Sequence, residues 1–417
     1  MSQATLPPAG GIDATLLHEV ANQFGTPTYV YSADTIRHNI GAIQDAFAQT
    51  PHKVHYSVKA NSALAVLQLC QAAGCGFDIV SGGELVRVIR AGGDASDVIF
   101  SGVGKTIEEI DLALKLGIGC FNVESAGELQ RIADRAKLAA VVAPVSIRVN
   151  PDVDAQTHPY ISTGLKENKF GVTASEALSL YQTAAADEHL KIVGIDCHIG
   201  SQISQAAPLL DALQALLELI DDLGQLGIEV DHIDLGGGMG VTYQDEAPLD
   251  MGEYGARVQQ AMSGRTQQIY LEPGRSIVAN AGVLLTHVEY TKPSAAPDTP
   301  NFAIVNAAMN DLIRPALYQA WHQIDNIGAA HSEAMRLWNI VGPVCESGDF
   351  LGKAREMSIL PGDLLAIGGA GAYGMVQASN YNSRPRAAEV IIDGSEVALI
   401  RRRESIEDLL RLETLVQ

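Results

Sequence analysis

Eight short β-branched runs, most of them followed by a helix-patterned segment, limit what this chain can fold into more than any other feature. They are Val54–Lys59, Gly76–Val80, Val98–Ser101, Cys120–Glu124, Val145–Asn150, Val193–His198, His232–Leu235 and Gln268–Glu272. Strands joined by helices must run parallel, because a crossover helix returns the chain to the same end of the sheet. Eight such units close into a (β/α)8 TIM barrel; a doubly wound open sheet is the competing arrangement. Helix starts recur where strands end. Ser81-Gly-Gly-Glu84, Thr106-Ile-Glu-Glu109 and Ser125-Ala-Gly-Glu128 each read as a capping box, in which a hydroxyl and an acid three residues on satisfy orphan amides. The helix after Thr106 places Ile107, Ile110 and Leu114 on one face and stops at Gly117.

After Gly274 the beat changes to strands without intervening helices: Val283–Thr291, Phe302–Asn306, Leu337–Val341, Leu364–Ile367, Glu389–Ile392 and Val397–Arg401. Turn chemistry separates them, including Asp393-Gly394, and a short helix over Ile406–Leu412 follows. The strand Thr28–Tyr31 precedes the helix Ala33–Phe47 and has no place among the eight. The expected organisation is therefore a barrel over residues 34–277 and a barrel- or sandwich-like β domain assembled from residues 1–33 and 278–417. One stretch, Pro151–Gly171, is long and aperiodic, which makes it a candidate active-site loop.

Composition narrows the function classes. The 28 Lys and Arg stand against 49 Asp and Glu, a formal charge of −21, which argues against a nucleic-acid groove or a polybasic membrane face. Five scattered cysteines (Cys70, Cys75, Cys120, Cys197, Cys345) contain no C-x-x-C pair, so neither a metal site nor a disulfide framework is expected, and a reducing cytoplasm fits. The first residues lack the pattern of a secretory signal, and the apolar run Ile277–Leu285 is strand-sized, so a soluble protein is expected.

In a barrel, chemistry belongs at the C-terminal ends of the strands. The first run ends in Tyr56-Ser-Val-Lys59, the sixth in His198-Ile-Gly-Ser-Gln202, the seventh in Gly236-Gly-Gly-Met-Gly240 and the eighth in Glu272-Pro-Gly-Arg275. Lys59 is either a rim lysine in an ion pair or an amine whose pKa is lowered by burial until it becomes a nucleophile. The glycine run either lets amides approach an anion, with Ser201 adding a hydroxyl, or answers a need for positive φ. The frame G-x-G-x-x-G from Gly236 places Val241 at its last position, and the match at Gly369–Gly374 has no helix after it, so neither is a dinucleotide fingerprint. One lysine, one anion cradle, one imidazole and one carboxylate around a single mouth suit pyridoxal 5'-phosphate: a Schiff-base amine, a phosphate cradle, a ring to stack and an acid for the pyridine nitrogen.

On these residues the chain resembles the fold-type III pyridoxal-phosphate decarboxylases, and within them the diaminopimelate decarboxylases, over essentially its whole length. The matching segments include Tyr56–Ala60, Asp78–Leu85, Arg148–Pro151, His158–Gly164, Lys169–Gly171, His198–Gln202, Glu272–Arg275, Met309–Tyr318, Gly342–Asp349 and Gly371–Tyr373. The resemblance implies decarboxylation of meso-2,6-diaminopimelate to L-lysine by a homodimer with active sites at the subunit interface. It implies that Lys59 forms the Schiff base, that His198 stacks on the ring, and that Asp78, Ser201, Gly237, Glu272, Gly274, Arg275 and Tyr373 bind cofactor. It assigns Arg275, Arg314, Tyr318, Glu346 and Tyr373 to the substrate, and Cys345 to proton donation in the other subunit. Two arginines on a distal carboxylate argue against ornithine or arginine as substrate, whose distal groups are cationic; a carboxynorspermidine decarboxylase is a further alternative on the same scaffold. Taken alone, Arg314 could simply pair with Asp311, and Cys345 could be a small buried hydrophobe. Asn306-Ala-Ala308 and Gly369-Ala370 depart from the family pattern beside its motifs rather than on them.

Overall fold

The computed structural model describes residues 11–153, 169–296, 299–328 and 334–416. The chain divides into two compact units, one holding Arg37–Val241 and Ala247–Ser276, the other holding the chain up to Ile36, Thr242–Glu246 and the chain from Ile277. Strand β1 (Thr28–Ser32) belongs to the second of these.

The first unit is a closed barrel of eight parallel strands: β2 (His52–Ser57), β3 (Gly76–Ile79), β4 (Val98–Phe100), β5 (Cys120–Val123), β6 (Ala143–Arg148), β7 (Leu190–Asp196), β8 (His232–Asp234) and β9 (Gln268–Leu271), with β9 pairing back onto β2. All eight expected runs form strands, and each strand ends one or two residues before its run does. Lys59, Glu124, His198 and Glu272 therefore lie just past strand ends, Lys59 in a single 3-10 turn, Val58–Ala60. Loop backbone at those positions frees the side chains from the strict in-out alternation of a strand.

Inside the barrel the parity of the strands brings polar side chains to the same face. Ser57 pairs with Asp78, Arg148 with Asp196 and Asp196 with Asp234 across neighbouring strands. All are buried, as are Asn122, Ser146 and Glu272. The apolar residues of the same strands, such as Phe77, Phe121 and Ile195, are buried with the outward-covering helices.

The full reciprocal capping box forms at Thr106. At Ser81 and Ser125 the hydroxyl caps as expected, but the acid reaches one residue further back: Glu84 accepts from the Val80 amide and Glu128 from the Glu124 amide. Ile107 is exposed at 44%, and Ala113 joins Ile110 and Leu114 on the buried face of that helix. The helix ends as expected at Gly117, whose φ of 71° is left-handed.

The second unit is a nine-stranded sheet. Its strands are β1, β10 (Gly282–Lys292), β11 (Asn301–Val305), β12 (Ile324–Asn326), β13 (Arg336–Val341), β14 (Phe350–Met357), β15 (Leu364–Ile367), β16 (Ala388–Asp393) and β17 (Glu396–Arg401). The order is β14-β13-β11-β10-β1-β16-β17, with β15 pairing β10 and β12. The early strand thus joins the C-terminal sheet, antiparallel to β10 and parallel to β16. One long strand serves two neighbours: β10 pairs with β15 through His287 and with β11 from Val288, with an irregular register between Val288 and Tyr290. Strands β12 and β14 and the helix Ala14–Phe24 were not anticipated. The charged Lys353-Ala-Arg-Glu356 on β14 lacks β-branched residues, and three-residue β12 is too short to show a period.

Candidate active site

Within the barrel unit, the sequence-predicted Lys59, His198, Gly237 and Glu272 stand just beyond strand ends, and Asp78 lies within β3. Lys59 Nζ lies 2.5 Å from Asp78 Oδ2, and Ser57 Oγ donates to the same oxygen at 2.7 Å. The lysine is about one-third exposed and the aspartate fully buried. That anion holds the amine at the mouth, so the ion pair and the functional position are one arrangement rather than alternatives.

His198 is half-buried, and its Nδ1 accepts a hydrogen bond from the Gly237 amide at 3.1 Å. An accepting Nδ1 leaves the ring proton on Nε2. Burial first, then the charges of Arg148 and Lys59, push its pKa well below the ordinary 6.5, so the ring is neutral and flat.

The glycine run meets the need for close backbone approach. Gly236 and Gly238 have φ of 65° and 93°. A Cβ at Gly237 would sit 2.1 Å from Glu272 O, and one at Gly274 would sit 2.9 Å from Ser57 Cβ. The amides of Gly236, Gly237 and Gly240 are already engaged, by Asp234 Oδ1, His198 Nδ1 and Ile203 O, so the run serves first to lock the ends of β7, β8 and β9 together. Ser201 Oγ accepts from the buried Arg275 guanidinium at 3.1 Å, which ties the turn after β9 to the loop after β7.

Glu272 is buried, and its Oε1 meets no hydrogen-bond donor among the described residues. Burial, then Asp234, Asp78 and Asp196, push its carboxyl well above the usual range, with Lys59 opposing. A buried carboxyl oxygen lacking a donor, an immobilised neutral imidazole and an amine at the mouth fit pyridoxal 5'-phosphate. Lys59 would hold its aldehyde carbon, Glu272 its ring nitrogen and His198 its ring face.

Three further barrel residues were not singled out from sequence. Arg148 lies 3.2 Å from Glu124 Oε1 and stacks over Phe170, while Asp196 and Asp234 sit at strand ends with carboxyls raised by burial. Their inward parity with Asp78 and Glu272 was the available signal.

Within the sheet unit, Arg314 is buried at the start of the helix Arg314–Tyr318. Its guanidinium lies 4.9 Å above the Tyr243 ring, which in turn meets His322 edge-on at 5.5 Å. Asp311 instead accepts from the Ala308 amide and Asn310. Tyr318 is half-buried at the end of that helix, and Tyr373 holds a φ of 53°. Cys345 is exposed rather than a buried hydrophobe; its amide donates to Asn382 Oδ1 at 2.8 Å, and Tyr381 OH donates to the exposed Glu346 at 2.9 Å. The segment His158–Gly164 and most of the candidate loop Pro151–Gly171 lie outside the described residues. Of that loop, the Gly171 amide donates to Glu124 Oε2 at 3.0 Å.

Comparison with known proteins decides the family. Residues 33–279 match the family described as pyridoxal-dependent decarboxylase, pyridoxal binding domain. A diaminopimelate decarboxylase of Pseudomonas aeruginosa is 54% identical over 404 residues, covering 97% of this chain and 96% of that protein. The chain belongs to the diaminopimelate decarboxylase family. Another member, from Vibrio cholerae, is 52% identical over 401 residues, 96% of this chain and 95% of that one. The crystal structure of the Helicobacter pylori enzyme complexed with L-lysine superposes with a TM-score of 0.91 at 42% identity, covering 95% of this chain and 98% of that one. The family uses pyridoxal phosphate, and the barrel residues described above are the ones that fit it.

Proposed function

We propose that this chain decarboxylates meso-2,6-diaminopimelate to L-lysine and carbon dioxide, using pyridoxal 5'-phosphate. The observation that carries the reading is the meeting of Lys59, neutral His198 and buried Glu272 at one barrel end, in a chain related along nearly its full length to diaminopimelate decarboxylases. A relative crystallised with L-lysine, the product of this reaction, supports it.

The bound cofactor supplies an electron sink for the pair left at Cα when carbon dioxide departs. Asp78 keeps the Lys59 amine at the mouth, and Glu272 keeps the ring nitrogen charged. His198, neutral, packs without adding a second positive charge. Arg275, Arg314 and Tyr318 bind the distal carboxylate, Glu346 the distal ammonium, and Tyr373 lies against cofactor and substrate. Bidentate arginines discriminate strongly, because a substrate lacking that carboxylate leaves buried cations uncompensated. The exposed Cys345 thiol returns the proton to Cα from a second copy of the chain, with Lys59 as the other donor within this scheme. That role makes the working form a homodimer, and the five unpaired cysteines suit a cytoplasmic enzyme.

The test is carbon dioxide release from meso-diaminopimelate, L-ornithine, L-arginine and carboxynorspermidine. Turnover confined to diaminopimelate is expected; faster turnover of any other substrate overturns the assignment. Lys59→Ala should lose both turnover and the visible absorption of the bound cofactor.

A further inference from the structure

Cys345 and Glu346 stand side by side on the exposed loop between β13 and β14, and a second exposed segment of the same sheet unit meets them residue for residue. Tyr381 OH donates to Glu346 Oε2 at 2.9 Å, and Asn382 Oδ1 accepts the Cys345 amide at 2.8 Å. Neither contact belongs to a core: Tyr381 is 44% exposed, and Glu346, Cys345 and Asn382 are exposed as well. A hydrogen bond between exposed side chains competes with water and adds little to folding, so its effect lies in where it places the carboxylate.

Both segments are fixed through their backbones. The buried Asp349 accepts the Val344 amide at 2.9 Å and the Met309 amide at 2.7 Å, which pins the loop one residue before Cys345. Tyr381–Ser383 forms a single 3-10 turn in which Asn382 and Ser383 have φ of 56° and 55°. Left-handed backbone at two consecutive residues other than glycine is unfavourable and persists only where the surroundings impose it. Here they do. The Ser379 amide donates to Asn310 O at 2.9 Å on one side of the turn, and Arg384 Nε donates to Asn310 Oδ1 at 3.1 Å on the other. Loop and turn thus share one anchor, Met309-Asn310, on the segment that leads to Arg314.

We propose that Tyr381 is a positioning residue that sets selectivity for the distal ammonium of the substrate, by holding the Glu346 carboxylate in the rotamer that receives it. The inference rests on Glu346 binding that ammonium. An exposed glutamate otherwise samples several rotamers, and ordering it on binding costs affinity. The phenol engages Oε2 and leaves Oε1 to the ligand. It carries no charge, so it restrains the carboxylate without neutralising it as a lysine or arginine would. The bond to Glu346, then the charge of Glu346, raise the phenol above its ordinary range, so it remains a donor at neutral pH.

The test compares Tyr381→Phe, Glu346→Gln and the double variant in the full-length, cofactor-loaded enzyme. Two ligands are used: meso-diaminopimelate as substrate, and D-2-aminopimelate, which keeps both carboxylates and the reacting amine but lacks the distal ammonium, as competitive inhibitor. Tyr381→Phe keeps the ring and removes only the donor. It should raise KM for diaminopimelate about fivefold, the loss of one solvent-accessible hydrogen bond, with kcat and the inhibition constant of aminopimelate each within about twofold of wild type. Glu346→Gln should raise the same KM further, and adding Tyr381→Phe to it should change nothing more. The role of Tyr381 is overturned if Tyr381→Phe leaves KM within twofold while Glu346→Gln raises it, if it weakens both ligands equally, or if the two substitutions add. A KM indifferent to Glu346→Gln removes the ammonium from Glu346, and the proposal with it.

Discussion

Gly237→Ala tests how tightly the barrel end fixes its chemistry. Gly237 has ordinary negative-φ or extended backbone, so alanine brings no conformational strain of its own, and the effect is steric. Its Cβ would lie 2.1 Å from Glu272 O and 3.0 Å from Glu272 C. Relief to an ordinary contact requires the two segments to part by about 1 Å, since atoms in packed interiors tolerate little overlap. The displaced atoms belong to Glu272, and the Gly237 amide that would move is the donor to His198 Nδ1. One methyl group thus disturbs two cofactor-facing side chains. Misplacement by about 1 Å costs on the order of 100-fold in rate, while overpacking costs about 1–3 kcal/mol of stability. The assay is kcat/KM for carbon dioxide release, alongside cofactor content and a urea unfolding curve. Gly127→Ala, in the helix Ala126–Ala139 with no atom within 4 Å of the added carbon, is the control and should be neutral or slightly stabilising. If Gly237→Ala keeps kcat/KM within about threefold of wild type, against the loss the overlap predicts, the idea that this contact sets the position of Glu272 is refuted.

Lys105→Met should cost about 3–5 kcal/mol in urea unfolding, because the buried ammonium bonds Gly102 O, Asn122 O and Glu128 Oε1 and its loss strands a buried carboxylate; the double variant with Glu128→Leu should recover most of it. His232 is pulled down to about 3 by burial, so the unfolded chain takes a proton that the folded chain refuses, and stability is lost as pH falls from 6.5 toward 3. Between pH 7 and pH 5 His232→Gln should remove about 2 kcal/mol of that loss relative to wild type, by unfolding at both pH values; parallel curves would contradict it. Tyr243→Ala should raise KM for diaminopimelate about fivefold, for ~1 kcal/mol of lost cation–π support to Arg314, with kcat and the cofactor spectrum kept, and Tyr243→Phe should restore KM.

The parallel barrel was legible because its strands are buried on both faces and read as β-branched runs, and because hydroxyl caps such as Thr106 mark where helices begin. The sheet unit was only partly legible. β14 carries Lys353, Arg355 and Glu356 on a twisted, half-exposed surface, where composition and strand pairing disagree. Lys59 and Glu272 were readable as site residues because a charged group at a strand end is costly without a use. Asp196 and Asp234 were not, since an acid within an otherwise apolar run looks like any strand end until the register sets it beside another carboxyl. The glycine run invited an anion reading from its composition, yet the engaged amides of Gly236 and Gly237 show that backbone packing claims it first.

The polar interior carries its own constraint. Around the barrel mouth Asp78, Glu124, Asp196, Asp234 and Glu272 outnumber Lys59 and Arg148, and the cofactor to be held there brings a phosphate. Were every carboxyl ionised, the site would repel the group it binds, and each uncompensated buried charge would cost several kcal/mol. Two devices reduce the excess. Asp78 and Glu124 are each held by a cation, with the Ser57 hydroxyl also donating to Asp78 and the Gly102 and Gly171 amides to Glu124. Burial raises the carboxyls of Asp234 and Glu272, which favours their neutral forms until a ring nitrogen stabilises the anion at Glu272. The charge that remains is therefore directed: anionic beside the ring nitrogen, cationic at Arg275 and Lys59, and neutral at His198, where a flat ring must lie.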